Sequence, residues 1–231
     1  MKTSPHQESK DRTSKHFKAA GAMALALVLT ASVAAAQSAY PPPSLLAAKW
    51  WQWALETPSS ESPLTDQSGQ RAAVNQPRGN IWFLAGNLGG TTVRTVTIPA
   101  GKALFFPVVN VVDVEDGTTI PGGTTVFKVH QPLQTAQSIV SEIIATASGS
   151  CTVDGTNVPI TAANLEQSVP FTLLLPDHNL LGVPAGVYYP AFDSGYYVLL
   201  NPLSPGQHTI HFTGGFNNSN FLDVTYNITI Q

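Results

Sequence analysis

The last stretch of the chain alternates strictly. Leu222, Val224, Tyr226, Ile228 and Ile230 interleave with Asp223, Thr225, Asn227 and Thr229. A period of two with one apolar side predicts an antiparallel strand half-buried against a core. Residues 208–213 repeat the pattern, with His208, Ile210 and Phe212 on one side and Thr209, His211 and Thr213 on the other. The polar segment 214–220 is expected to join the two as a hairpin loop. Residues 91–98 alternate in the same way, and IWFLA (81–85) and FTLLL (171–175) read as short buried strands. The densest apolar run, IPAGKALFFPVVN (98–110), is apolar on both sides, as in a strand covered on both faces. Pro107 has no N–H for a central ladder, so a bulge or an edge is expected there. Strict alternation places Ala103, Phe105, Pro107 and Val109 on one face and Leu104, Phe106, Val108 and Asn110 on the other.

Two segments switch to helical spacing. Residues 44–57 (SLLAAKWWQWALET) place Leu45, Leu46, Lys49, Trp50, Trp53 and Ala54 on one stripe, with Ser44 as N-cap and Thr57-Pro58 as the stop. That stripe leaves Trp51 nearer the edge, where it becomes a candidate for stacking on a ligand. Residues 132–148 carry Leu133, Ala136, Ile139, Val140, Ile143, Ile144 and Ala147 as a second stripe, with Gly149 as a natural stop. CTVDGTNV (151–158) predicts a hairpin turning at Asp154-Gly155. The polar, aperiodic segment 58–80 reads as a long loop and a candidate wall of a site. Segment 176–186 is a second loop, and Phe192-Asp193-Ser194-Gly195 reads as a turn. Short strands with Gly/Pro turns and two isolated helices predict a mainly β fold: an antiparallel, jelly-roll-like β-sandwich with two helices packed on it.

The N-terminus adds a compartment. Five Lys or Arg against two acids precede the uncharged, apolar block Ala19 to Val33, and Ala34-Ala35-Ala36 follows. This pattern predicts an export signal over 1–36, an extended leader over 37–43 and one domain over 44–231, with a secreted or periplasmic destination. A retained membrane anchor is the competing reading. Beyond the signal, 11 − 5 = 6 basic and 14 − 2 = 12 acidic residues remain, a formal charge of −6. The six bases are scattered, so nucleic acid is not an expected partner, and an acidic chain gains nothing from an anionic membrane. Cys151 is the only cysteine, so no internal disulfide is available, and it reads as a small buried strand residue.

Several stretches carry a resemblance: WWQWALETP, NIWFLAG, IPAGKALFFPVVN, NLLGVPAG and the terminal SGYYVLLNPLSPGQHTIHF…VTYNITI. Together they are similar to a family of uncharacterised exported bacterial proteins. The resemblance brings no reaction. It implies cysteines flanking the PAGKALFFP run, but here those places hold Thr97 and residues 111–113, so a disulfide typical of that family is absent.

Candidate chemistry is sparse. No nucleotide-binding loop, no G-x-S-x-G elbow and no metal-spaced His or Cys pair occurs, so no cofactor and no metal is expected. Asp113, Glu115 and Asp116 invite a calcium reading, but the EF-hand offsets fail and a solvated acidic turn is the simpler reading. Of the four histidines beyond the signal (His130, His178, His208 and His211), His208 reads as a hydrogen-bonded core residue and His211 as accessible. The catalytic candidates are Asp177, His178, Asp193 and His211, with the carboxylates as partners of a general base; the bland alternative is that Asp177 and Asp193 make Asx turns. The binding candidates are Trp51, Tyr196 and Tyr197. Two functions remain in play: a secreted domain that binds an extracellular glycan or a cell-surface partner, or a secreted hydrolase or lyase acting on an extracellular polysaccharide.

Overall fold

A computed structural model describes residues 39–114, 124–128 and 133–231. The expected export signal, the acidic residues Glu115 and Asp116, and His130 lie outside them. Two sheets and two helices make up the described chain, and the expected mainly β sandwich forms.

The first sheet is built on β3 (Ala103–Val114) and β9 (Gly186–Leu200), which pair antiparallel. β1 (Ile81–Phe83) and β4 (Thr124–Lys128) pair with β3 at opposite ends, both parallel to it. β7 (Leu165–Gln167) and β8 (Phe171–Leu175) pair with β9. The second sheet runs β2-β11-β10-β5-β6, with β2 (Gly90–Ile98) parallel to β11 (Ser219–Ile230). β10 (Gly206–Phe216), β5 (Ala147–Val153) and β6 (Thr156–Val158) are antiparallel to their neighbours. Three parallel pairings therefore sit within the expected antiparallel frame.

The densest apolar run supplies β3, and all twelve residues of that strand are buried. The ladder to β9 slips between Pro107 and Val109, so the missing Pro107 N–H falls at a bulge, as expected. The bulge also inverts the facing order beyond it. Leu104, Phe106 and Val108 pack against the second sheet, and Val109 and Val111 follow them on that side, against α2 (Leu133–Ile144). Asn110, Val112 and Val114 turn instead to the side of Phe105 and α1 (Pro43–Leu55). Simple alternation had put Asn110 with Phe106. Where the two sheets close on this bulge, glycines are required. A Cβ on Gly149 would lie 2.4 Å from Val108 Cγ1, and one on Gly214 would lie 2.2 Å from the Val108 carbonyl.

Other boundaries move for local reasons. α1 starts at Pro43 after Pro42, not at a Ser44 cap, because a first-turn proline lacks only an N–H that the helix could not use. α2 ends at Ile144, and Gly149 lies inside β5 rather than stopping the helix. The hairpin at Asp154-Gly155 forms, both residues having positive φ. The β10–β11 turn is tighter than expected: Asn217 and Asn218 supply it at φ 52° and 61°, and Gly214 to Phe216 remain in the strand. The supposed turn 192–195 is continuous β9, and Asp113 lies buried in β3 rather than in a solvated loop. No helix among the described residues is long and apolar enough to cross a membrane.

Candidate functional site

α1 packs against the first sheet, including Phe171, Leu173 and Leu175 of β8, and Leu64 of segment 57–80 joins the same core. Leu46, Trp50, Trp51, Trp53, Ala54 and Leu55 are all buried. A buried indole gains from an acceptor for its N–H, and each of the three on α1 finds one. Trp50 Nε1 donates to the Leu84 carbonyl at 2.9 Å, and Trp53 Nε1 to the Val74 carbonyl at 2.8 Å. Trp51 Nε1 donates to Asp193 Oδ1 at 2.6 Å. Trp51 is therefore not at an edge: it is fully buried, because the sheet presents a carboxylate to it from β9.

Around that carboxylate three of the expected site residues meet. Tyr197 Oη donates to Asp193 Oδ2 at 3.0 Å and accepts from Asn110 Nδ2 at 2.9 Å. The Asp193 backbone N–H donates to Ser168 Oγ at 2.8 Å. Burial pushes the Asp193 carboxyl up to about 8, although the Trp51 and Tyr197 hydrogen bonds favour the anion. Burial, then the neighbouring Asp193, also raises the Tyr197 phenol. Asp193 and Tyr197 have 0% and 3% of their surface exposed, so no polymer reaches them. The cluster joins α1, β3 and β9 from inside. Gly195, opposite Asn110, leaves the space it needs: a Cβ there would lie 2.5 Å from Asn110 Cβ and 2.8 Å from Tyr197 Cε2. Gly195→Ala is expected to cost about 1–3 kcal/mol of stability, read as a lowered urea midpoint at unchanged slope.

The remaining candidates sit apart from this cluster. Asp177 and His178 are exposed in the loop after β8, with His178 at φ 54° and its carbonyl accepting from Ser59 N. His211 Nε2 lies 2.9 Å from Asp223 Oδ1 across the β10–β11 ladder, half-exposed. His208 is hydrogen-bonded, as expected, but at the end of the sheet: its ring contacts Asp154 at 2.8 Å, and that bond raises its pKa. Tyr196 is half-buried beside a cleft of about 280 Å³ that Ser148, Ile160 and Thr161 also line. Cys151 is buried and free, its thiol pushed up to about 12 by burial. Among the described residues no group of three His, Cys, Asp or Glu is placed to hold a metal ion.

A different surface brings polar groups together. A cleft of about 340 Å³ runs along the outer side of α1. Lys49, Gln52 and Glu56 form one wall, at spacings of three and four residues on the helix face left uncovered. Asn75 and Pro77, from the long loop, form the other, and the edges of Trp53 and Phe83 close the bottom. Gln52, Glu56 and Asn75 are each held by one of their own atoms, while Lys49 is exposed. Gln52 Nε2 donates to the Thr172 carbonyl at 2.9 Å, and Glu56 Oε1 accepts from Leu174 N at 3.0 Å. These two bonds cap the outer edge of β8, which would otherwise expose unpaired backbone. Asn75 Nδ2 donates to Thr57 Oγ1 at 3.2 Å, and that hydroxyl donates onward to the Trp53 carbonyl. Partial burial raises the Glu56 pKa, opposed by the Leu174 N–H. Sequence reasoning passed over Gln52, Glu56 and Asn75, and it set Lys49 on the stripe of Trp50 and Trp53, whereas Lys49 is exposed on the uncovered face. The available signal was the polar i, i+3, i+7 stripe on an otherwise apolar helix, facing the loop already marked as a site wall.

No protein-family model and no curated protein matches the chain. Among solved structures, the chain is similar to a cysteine protease inhibitor from Entamoeba histolytica, at 11% identity over 67% of this chain and 99% of that one, with a TM-score of 0.24. A likeness that weak carries no argument about fold or function.

Proposed function

We propose that the protein is an exported binding module that holds a short segment of an extracellular glycan in the cleft along α1. The observation that carries this reading is the cleft itself: an apolar floor under side chains whose outward polar atoms are fixed by their inward bonds. Few placed polar groups over an apolar base suit a ligand that is amphipathic by faces, as a pyranose is. Its volume of about 340 Å³ lies at the lower end for small-ligand sites, so it takes a few sugar rings rather than a folded partner. The basic start and apolar block of residues 2–36 support export. The alternative hydrolase or lyase reading relied on Asp177, His178 and Asp193 working together, but Asp193 is sealed inside the fold while the other two are exposed.

Affinity electrophoresis against a panel of soluble polysaccharides, with reducing ends measured in the same samples, tests the proposal. The expected result is retention without product release. Lys49→Ala and Asn75→Gly should each weaken retention about tenfold, the effect of one lost polar contact. Glycine is chosen because Asn75 has φ 50°, where alanine would add strain. Retention on no glycan, or product release that Asp193→Asn abolishes, would overturn the proposal.

A further inference from the structure

The bonds that hold the cleft walls also decide what those walls offer. The Thr172 carbonyl can only accept, so the Gln52 amide must turn its nitrogen inward and its Oε1 outward. The Thr57 hydroxyl spends its proton on the Trp53 carbonyl, so Asn75 must donate to it and turn Oδ1 outward. Glu56 uses Oε1 on the Leu174 N–H, leaving Oε2. The walls therefore present three outward acceptors, one of them a carboxylate oxygen. Glu56 is half-buried and forms no ion pair among the described residues. Lys49, the other charged residue lining the cleft, stands two helical turns away, about 10 Å along the axis. A half-buried carboxylate satisfied by one backbone N–H gains more from a cationic donor than from a neutral one.

Resting on the proposed glycan-binding role of this cleft, we propose that it selects a saccharide carrying a free amino group, with the ammonium seated against Glu56 and ring hydroxyls donating to Gln52 Oε1 and Asn75 Oδ1. Sugar hydroxyls rotate to donate wherever an acceptor stands. A peptide also brings carbonyls that need donors, and these walls supply few. N-acetylation of the ligand removes its charge and replaces the ammonium with a single amide N–H, so an acetylated sugar loses the contact that distinguishes the site.

The test is calorimetric titration of the full chain at neutral pH with three probes: a β-1,4-linked glucosamine tetramer, its fully N-acetylated counterpart and tetraglycine. The glucosamine tetramer is expected to bind at least tenfold more tightly than either of the others, and Glu56→Gln should remove that preference. Equal or tighter binding of the acetylated tetramer or of tetraglycine overturns the proposal on the unaltered protein alone, whether or not the variant folds. A preference that survives Glu56→Gln also overturns it. If neither saccharide binds, the glycan-binding reading falls as well. If the acetylated tetramer binds, is weakened by Asn75→Gly and is not discriminated from the amine, only the amino-sugar proposal fails.

Discussion

Stability is expected to fall by on the order of 5 kcal/mol as the pH rises from about 4 to about 8, because of one carboxyl group. Asp193 titrates near the ordinary 3.8 in the unfolded chain and near 8 in the folded one. A folded-state pKa above the unfolded one means the unfolded chain releases its proton first. The contribution is therefore full below about pH 4 and is lost as the pH rises through about 8. About four pH decades at about 1.4 kcal/mol each give the magnitude. Asp193→Asn mimics the neutral acid: its Oδ1 can still accept from Trp51, and its amide can donate to the Tyr197 oxygen. Urea denaturation across this pH range should show a steep decline for the unaltered protein and a much flatter line for the variant. A decline that persists in Asp193→Asn would show that the buried carboxyl is not its source.

Arg94→Met is expected to cost about 3–5 kcal/mol, the usual penalty for stripping a buried polar cluster of one member. Arg94 has 1% of its surface exposed and points inward from β2. Its Nε donates to the Asp66 carbonyl at 2.7 Å, and its two terminal nitrogens reach the Ala85 and Gly86 carbonyls and Tyr226 Oη. The guanidinium also stands 5.3 Å from the Tyr226 ring centroid. One side chain thus joins the long loop, the end of β1 and β11. Methionine fills much of the volume but leaves three buried carbonyls without that donor, so packing cannot compensate. Arg94→Lys keeps the charge but has one nitrogen where three were used, and should recover only part of the loss. Urea midpoints measure both variants; a loss below about 1 kcal/mol for Arg94→Met would mean water replaces the guanidinium.

These two residues also show how far the sequence could be read. Alternation identified the face of β2 that holds Arg94 with Val96 and Ile98, but nothing local says that three carbonyls from residues 66, 85 and 86 converge on it. Phe192-Asp193-Ser194-Gly195 has the composition of a turn. It is a strand in which Trp51 and Ser168, 142 and 25 residues away in sequence, take up the Asp193 carboxylate and N–H that a turn would have given to water. Asp193 reads from the sequence as a catalytic candidate and Trp51 and Tyr197 as binding candidates; the fold brings these three together, but as an internal tie. The bulge at Pro107 was legible because proline cannot donate; its consequence for Asn110, which lets that residue reach Tyr197, appears only once the register beyond it is known. The cleft was half legible. The long loop 58–80 reads as a wall from its polarity, while the opposing polar stripe of α1 is interleaved with its three tryptophans and so does not stand out.

The claim that the ligand lies along α1 can be tested on the tryptophans themselves. The indole N–H signals of Trp50, Trp51 and Trp53 report three different depths of the same helix: Trp53 at the floor of the cleft, Trp50 against the Leu84 carbonyl and Trp51 on Asp193. On saturation with a glycan the protein retains, the Trp53 signal is expected to shift, with backbone signals of Gln52, Glu56 and Asn75, while the Trp51 signal holds its position. A shift centred on Trp51 and Tyr197, or one confined to Tyr196 and the β5 side of the sandwich with Trp53 unmoved, would contradict it.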